Sequence, residues 1–174
     1  HATGTTADAD VFQQLIDALD AMQRTLCLRA LPGRNYQDLH DEAHRLLAGV
    51  LKDARIVDMP EDEMVQAGVT RLLLPHGLGH SLGLQTHDVA CARVKPRADN
   101  RCLRNTRDIE AGQCFTIEPG VYFVDTLLDE LRAGPHAARV DWKLVDALRP
   151  YGGIRIEDDL VVHAGQDPPE NLTR

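Results

Sequence analysis

The amino-acid sequence predicts a mixed α+β domain, and three observations carry that reading. Apolar residues at helical spacing fill the first third of the chain, short strand-like runs ending in acids come late, and a glycine-punctuated histidine loop lies between them. Helices and strands together in one chain make a mixed α+β domain.

From residue 8 to residue 30, Val11, Leu15, Leu19, Met22 and Leu26 recur every three or four positions until Leu31-Pro32-Gly33 stops the pattern, which predicts an amphipathic helix. Asp8 and Asp10 at its start read as capping residues. A second helix is expected over 36–54, with Asn35 as its cap and Leu39, Ala43, Leu46, Leu47 and Val50 on one face. His40 and His44 stand one turn apart on it, but without the HExxH pattern they are expected to be exposed helix residues and not a metal clamp. A short acidic helix over 60–66 places Glu61, Asp62 and Glu63 at the positive end of the helix dipole, as a solvated face. Leu72, Leu73 and Leu74 then lead onward as a strand or buried approach.

The stretch 75–88, PHGLGHSLGLQTHD, brings His76, His80 and His87 together with Gly77, Gly79 and Gly83 between them. Glycine lets backbone turn tightly or approach other groups closely, and neutral imidazole is the commonest metal ligand and general acid or base. This is the layout of a site, and a metal there needs carboxylates from elsewhere. After a polar, proline-containing excursion over 91–106, strands are expected at 113–117 and 121–124, short helices at 126–132 and 142–148, and a strand at 153–163. A tail begins at Asp167-Pro168-Pro169. Strand period two puts Thr116 and Glu118 on one face, opposite Phe115 and Ile117, and puts Arg155 and Glu157 together, opposite Ile154 and Ile156. Each acid thus sits on the polar face of a strand whose other face can be buried.

At 174 residues, 43% hydrophobic and 26% charged, the chain suits a single globular domain over 1–174. A net charge of -8 without any basic run argues against nucleic acid or an anionic membrane as partner. Cys27, Cys91, Cys102 and Cys114 show no paired spacing and read as free thiols of a reducing compartment. With no apolar stretch long enough to span a bilayer and no signal peptide, the expected location is the cytoplasm.

HGLGH with a seven-residue step from His80 to His87, then TIEPG at 116–120, then GGIRIEDD at 152–159, in that order, resembles the metallopeptidases of the pita-bread fold. That family includes methionine aminopeptidase, aminopeptidase P, Xaa-Pro dipeptidase (prolidase) and the metal-free creatinase. GLQTHDVA, LRNTR and DWKLVDALRPYGGIRIEDDLVVH are similar to its bacterial Xaa-Pro dipeptidase branch, and the resemblance runs from about Ala9 to the C-terminus.

The resemblance implies an antiparallel sheet covered by helices and a centre of two divalent ions, Mn²⁺ first and Zn²⁺ or Co²⁺ as alternatives. It implies two aspartates, one histidine and two glutamates as ligands, of which His80, Glu118 and Glu157 are carried over. The aspartates belong before the first helix, and HATGTT at the start resembles the piece that follows the second of them. The chain is therefore expected to be a C-terminal part of the catalytic domain, lacking its N-terminal strands. Metal would be partial or absent in it, and activity would depend on the missing segment.

The implied reaction is hydrolysis of Xaa-Pro dipeptides by a metal-bridging water, with Glu118 taking its proton. His76 and His87 would position substrate, Arg104 would fork onto the dipeptide's C-terminal carboxylate, and Arg155 would orient ligand carboxylates or form a plain salt bridge. The implied partners are a dipeptide with C-terminal proline, the missing N-terminal part, and a second copy in a homodimer. The alternatives are an aminopeptidase P-type enzyme and a metal-free peptide-binding module of the same fold.

Overall fold

The structure, a computed structural model, describes residues 7–90, 94–165 and 167–174. The HATGTT stretch and the thiol expected at Cys91 lie outside the described residues.

Helix α1 spans Ala7–Arg29, with Asp8 and Asp10 in its first turn and Arg29 in its last, each complementing the helix dipole. Leu15, Leu19, Met22 and Leu26 are buried as the period requires. Helix α2 spans Tyr36–Asp53, and Asn35 caps it, its Oδ1 accepting the Gln37 N–H at 3.0 Å. Its inward face is wider than the sequence pattern suggested. His40 and His44, expected to be exposed, are 3% and 1% exposed, because they share the row of Tyr36, Leu47 and Leu51 that the helix turns inward.

The acidic helix α3, Glu61–Gln66, leaves Glu61, Asp62 and Glu63 in water as expected. Gly68, at φ 74°, breaks the chain into a second short helix, α4, Val69–Leu73. Of the two forms expected here, the buried approach holds and the strand does not: Leu73 and Leu74 are buried, and Leu73 ends a helix with Val69 and Thr70.

The described chain forms two compact units that interleave in sequence. One takes the segment ending at Ala21 with His44–Pro75 and Gly120–Arg155, and the other takes Met22–Ala43, His76–Pro119 and Ile156–Arg174. In the first, strands β2 (Gly120–Tyr122) and β3 (Gly153–Arg155) form an antiparallel ribbon in which Val121 faces Ile154. Helices α5 (Asp125–Ala133) and α6 (Trp142–Leu148) stand between them in sequence, and α4 packs on α3, α5 and β2. Asp141 caps α6 by accepting the Leu144 N–H at 3.0 Å, and the Arg132 guanidinium lies 4.2 Å over the Trp142 ring.

In the second unit, β1 (Cys114–Ile117), β4 (Asp158–Val161) and β5 (Glu170–Asn171) form an antiparallel sheet in the order β1-β4-β5. Phe115, Ile117 and Leu160 are buried in it, and the Tyr36 ring meets Phe115 edge-on at 5.4 Å. Two expectations change here. The strand expected over 153–163 is two strands, since β3 pairs with β2 and β4 with β1, and Ile156 and Glu157 carry the change of partner. The expected tail contains β5, tied to β4 by the Leu172 N–H on the Asp159 carbonyl at 2.8 Å and the Asp159 N–H on Thr173 Oγ1 at 2.9 Å. No helix among the described residues is long and apolar enough to cross a membrane.

Candidate metal centre

The histidine loop lies along β1. The Leu82 N–H bonds the Cys114 carbonyl at 2.9 Å, the Thr116 N–H the His80 carbonyl at 2.9 Å, and the Glu118 N–H the Leu78 carbonyl at 2.8 Å. These three bonds lay residues 78–82 antiparallel against the strand. The glycines allow the approach: a Cβ on Gly79 would collide with the Thr116 carbonyl and the Tyr36 hydroxyl, and one on Gly77 would stand 2.8 Å from Leu103 Cα. Tyr36 donates to the same Thr116 carbonyl at 2.8 Å, pinning α2 to β1.

This backbone register sets His80 beside Glu118, with exposures of 4% and 7%. His80 Nδ1 donates to the Ser81 carbonyl at 3.0 Å, which turns Nε2 toward Glu118 Oε1 at 3.4 Å. Thr116, fully buried, joins the two: its Oγ1 accepts the His80 N–H at 3.0 Å and donates to Glu118 Oε1 at 3.2 Å. Glu157, exposed, enters between β3 and β4. One donor atom from each of His80, Glu118 and Glu157 lies within 4.8 Å of the others, and among the described residues no other such group of three forms.

One imidazole nitrogen and two carboxylates fit a divalent cation of borderline hardness. Ligands about 2.1 Å from a common ion and not opposite one another stand about 3 to 3.6 Å apart, a spacing that His80 Nε2 and Glu118 Oε1, at 3.4 Å, already have.

The other expected residues surround this centre unequally. His87 is exposed with its ring centroid 4.2 Å from that of His80, because the Asp88 N–H bonds the Ser81 carbonyl at 3.0 Å and folds the loop back on itself. His76 is half-buried with Nδ1 2.8 Å from the Gly77 carbonyl, and it is not among the converging ligands. Arg104 is exposed in an irregular segment. The excursion before it is anchored to α2, where Arg97 pairs with Asp38 at 2.6 Å and Asp41 at 2.7 Å and Asn100 bonds Asp41 at 2.7 Å. Arg155 ends β3, exposed like Glu157, while Ile154 is buried, so the strand alternation holds.

Thr116 and Tyr36 are the members that sequence reasoning left without a role. A signal existed for Thr116, which shares the strand face of Glu118, whereas only the fold brings Tyr36 to the strand.

Residues 2–164 match the family described as metallopeptidase family M24. An Xaa-Pro dipeptidase of Aeromonas hydrophila is 50% identical over 170 residues, covering 94% of this chain and 38% of that protein. An Xaa-Pro dipeptidase of Xanthomonas axonopodis pv. citri is 47% identical over 174 residues, covering 96% and 39%. The chain thus spans about two fifths of the length of these curated relatives. Among solved structures, aminopeptidase P from Escherichia coli with the inhibitor Pro-Leu is similar at a TM-score of 0.67 and 27% identity, over 94% of this chain and 31% of that one. Proline aminopeptidase P II from Yersinia pestis is similar at 0.66 and 27%, over 92% and 31%.

Proposed function

The chain belongs to metallopeptidase family M24, and from that premise we propose that the activity it serves is that of an Xaa-Pro dipeptidase, hydrolysing dipeptides that end in proline. The fold is the pita-bread fold expected from the motifs, shared with aminopeptidase P, and this chain would supply most of the catalytic domain. The observation that carries the reading is the convergence of His80, Glu118 and Glu157. Eight Xaa-Pro dipeptidases at 42–50% identity support the substrate class over the aminopeptidase P structures at about 27%.

His80, Glu118 and Glu157 would hold a divalent ion, Mn²⁺ in our reading, and a two-ion centre would draw on two aspartates beyond these three. Asp8 and Asp10 stand inside the first turn of α1, past the capping position expected of them, where the helix dipole accounts for them. Bound there, such ions supply Lewis acidity and acidify water. Glu118, steadied by Thr116, would take the proton from the attacking water. His87, exposed beside His80, would meet the substrate, with His76 alongside, and Arg104 would fork onto the dipeptide's carboxylate. Arg155 would orient ligand carboxylates. The reading places the protein in the cytoplasm as a homodimer, in keeping with the free thiols Cys27, Cys102 and Cys114.

Purified with its native flanking sequence and loaded with Mn²⁺, the protein should hydrolyse Ala-Pro and spare Ala-Pro-Ala. Arg104→Ala should raise KM for Ala-Pro at least about tenfold, the scale of one charge-assisted fork. Release of alanine from Ala-Pro-Ala as fast as from Ala-Pro, with Arg104→Ala silent, would give the aminopeptidase P reading instead. Failure to take up any divalent ion would leave the metal-free binding module.

A further inference from the structure

Asp158, the first residue of β4, is 1% exposed and faces Ile117 across the β1–β4 pair. A carboxylate so buried needs a cation and hydrogen bonds around it. Arg174 Nε lies 2.8 Å from Asp158 Oδ2 and 3.0 Å from Oδ1, and Asn171 Nδ2 donates to Oδ2 at 2.7 Å. The same guanidinium reaches Gln23 Oε1 at 3.5 Å, and Gln23 Nε2 donates to the Ile117 carbonyl at 3.3 Å. The circuit therefore closes on one rung, Ile117 opposite Asp158.

That rung stands next to the site on both strands. Glu118 follows Ile117, and Glu157 precedes Asp158. Glu157 lies outside the strand, bracketed by the rung on one side and by the Ile156 N–H on the Pro119 carbonyl at 3.2 Å on the other. By strand alternation Asp158 points inward where Glu157 points out, so whatever fixes one side chain fixes the direction of the other.

We propose that Arg174 is a positioning residue for Glu157: its grip on the buried Asp158 holds the rung from which the Glu157 carboxylate is aimed at His80 and Glu118. Without the cation, the buried Asp158 carboxyl is left with an amide as partner and must move toward water, and the peptide carrying Glu157 moves with it. The sequence reading treated this segment as a tail. The inference rests on the metal reading above only for its consequence at the metal.

The test compares Arg174→Met, which keeps the stem and loses the charge, with Arg174→Lys, which keeps a cation, and with Ile109→Val, a buried truncation in the same unit that lowers stability without touching the rung. In the metal-free chain, amide hydrogen exchange at Ile156 and Asp158 should quicken about tenfold in Arg174→Met, largely recover in Arg174→Lys, and stay at the wild-type rate in Ile109→Val. Co²⁺ titration of the same variants purified with the native flanking sequence should give about tenfold weaker binding for Arg174→Met alone, the lower end of what loss of a ligand's support costs. Wild-type exchange at both amides in Arg174→Met, or a change equalled by Ile109→Val, overturns the proposal. Wild-type protein purified with its native flanking sequence that takes up no Co²⁺ sinks the metal reading, and the exchange rates then decide the positioning claim by themselves.

Discussion

The candidate centre has a buried half and an exposed half, built by different means. His80 and Glu118 are nearly inaccessible, set by the backbone bonds along β1, by the Thr116 hydroxyl and by the His80 Nδ1 bond to the Ser81 carbonyl. Glu157, His87 and Arg104 face water from the ends of strands or from irregular chain. A ladder fixes atoms to a fraction of an ångström and leaves no room for variation. Loops carry groups that must meet a substrate arriving from solvent. The difference predicts that substitutions in the buried half act on the centre itself, and those in the exposed half act on what it binds.

The largest effect should come from Glu118→Gln. On the proposed reading it keeps the shape but removes both a ligand charge and the proton acceptor, and kcat on Ala-Pro should fall about 10²- to 10⁴-fold, the span of general-base catalysis. A variant within about threefold of wild type would remove Glu118 from the chemistry and collapse the distinction between the two halves.

Gly79→Ala comes next. Its Cβ would meet the Thr116 carbonyl and the Tyr36 hydroxyl, neither of which can retreat without breaking the bond between them. Urea denaturation should show a loss of about 3 kcal/mol, at the upper end of overpacking costs. Gly83→Ala in the exposed half would meet chiefly the Asp88 side chain and should cost under about 1 kcal/mol. Equal costs at the two glycines would mean that the loop is not pressed onto β1 as described.

Thr116→Val sharpens the comparison further. The isosteric change leaves the buried His80 N–H without an acceptor and Glu118 Oε1 without the hydroxyl, which should cost about 2 kcal/mol in stability. Thr116→Ser should restore most of it. A valine variant as stable as wild type would show that the hydroxyl does not join the two ligands.

How much of this was legible follows from the range of the interactions. The long helices declare themselves because their faces repeat every three or four residues, and α1 and α2 begin and end within about two residues of expectation. His40 and His44 were misjudged because a histidine carries no hydrophobic signal, and only its neighbours on the inward row decide its burial. The break at Ile156 and Glu157 is invisible to alternation, which continues across it, since what changes is the partner strand and not the period. His80, Glu118 and Glu157 were legible through motifs, but Arg174 was not. A lone arginine after Asp167-Pro168-Pro169 reads as solvated until β5 brings it back to Asp158.

The last predicted effect, silent at neutral pH, lies behind the buried half, at Cys27. Burial, with the Asp158 charge adding to it, pushes this thiol from 9.0 to about 12, and Gln23 donates to its sulfur at 3.2 Å. The folded chain therefore keeps the proton that the unfolded chain releases above pH 9.0. Stability from this group is complete below that pH and is lost as pH rises toward about 12, at up to about 1.4 kcal/mol per pH unit. Cys114 shifts in the same direction, from burial first and the Asp159 charge second. The unfolding free energy of wild type should accordingly fall relative to that of Cys27→Ala as pH climbs above 9.0, whatever their offset at neutral pH. A thiol reagent at neutral pH should label exposed Cys102 and spare Cys27 in the same molecule. Parallel curves, or equal labelling of the two, would mean that water reaches behind the strand carrying Glu118, and the contrast between the two halves would lose its physical basis.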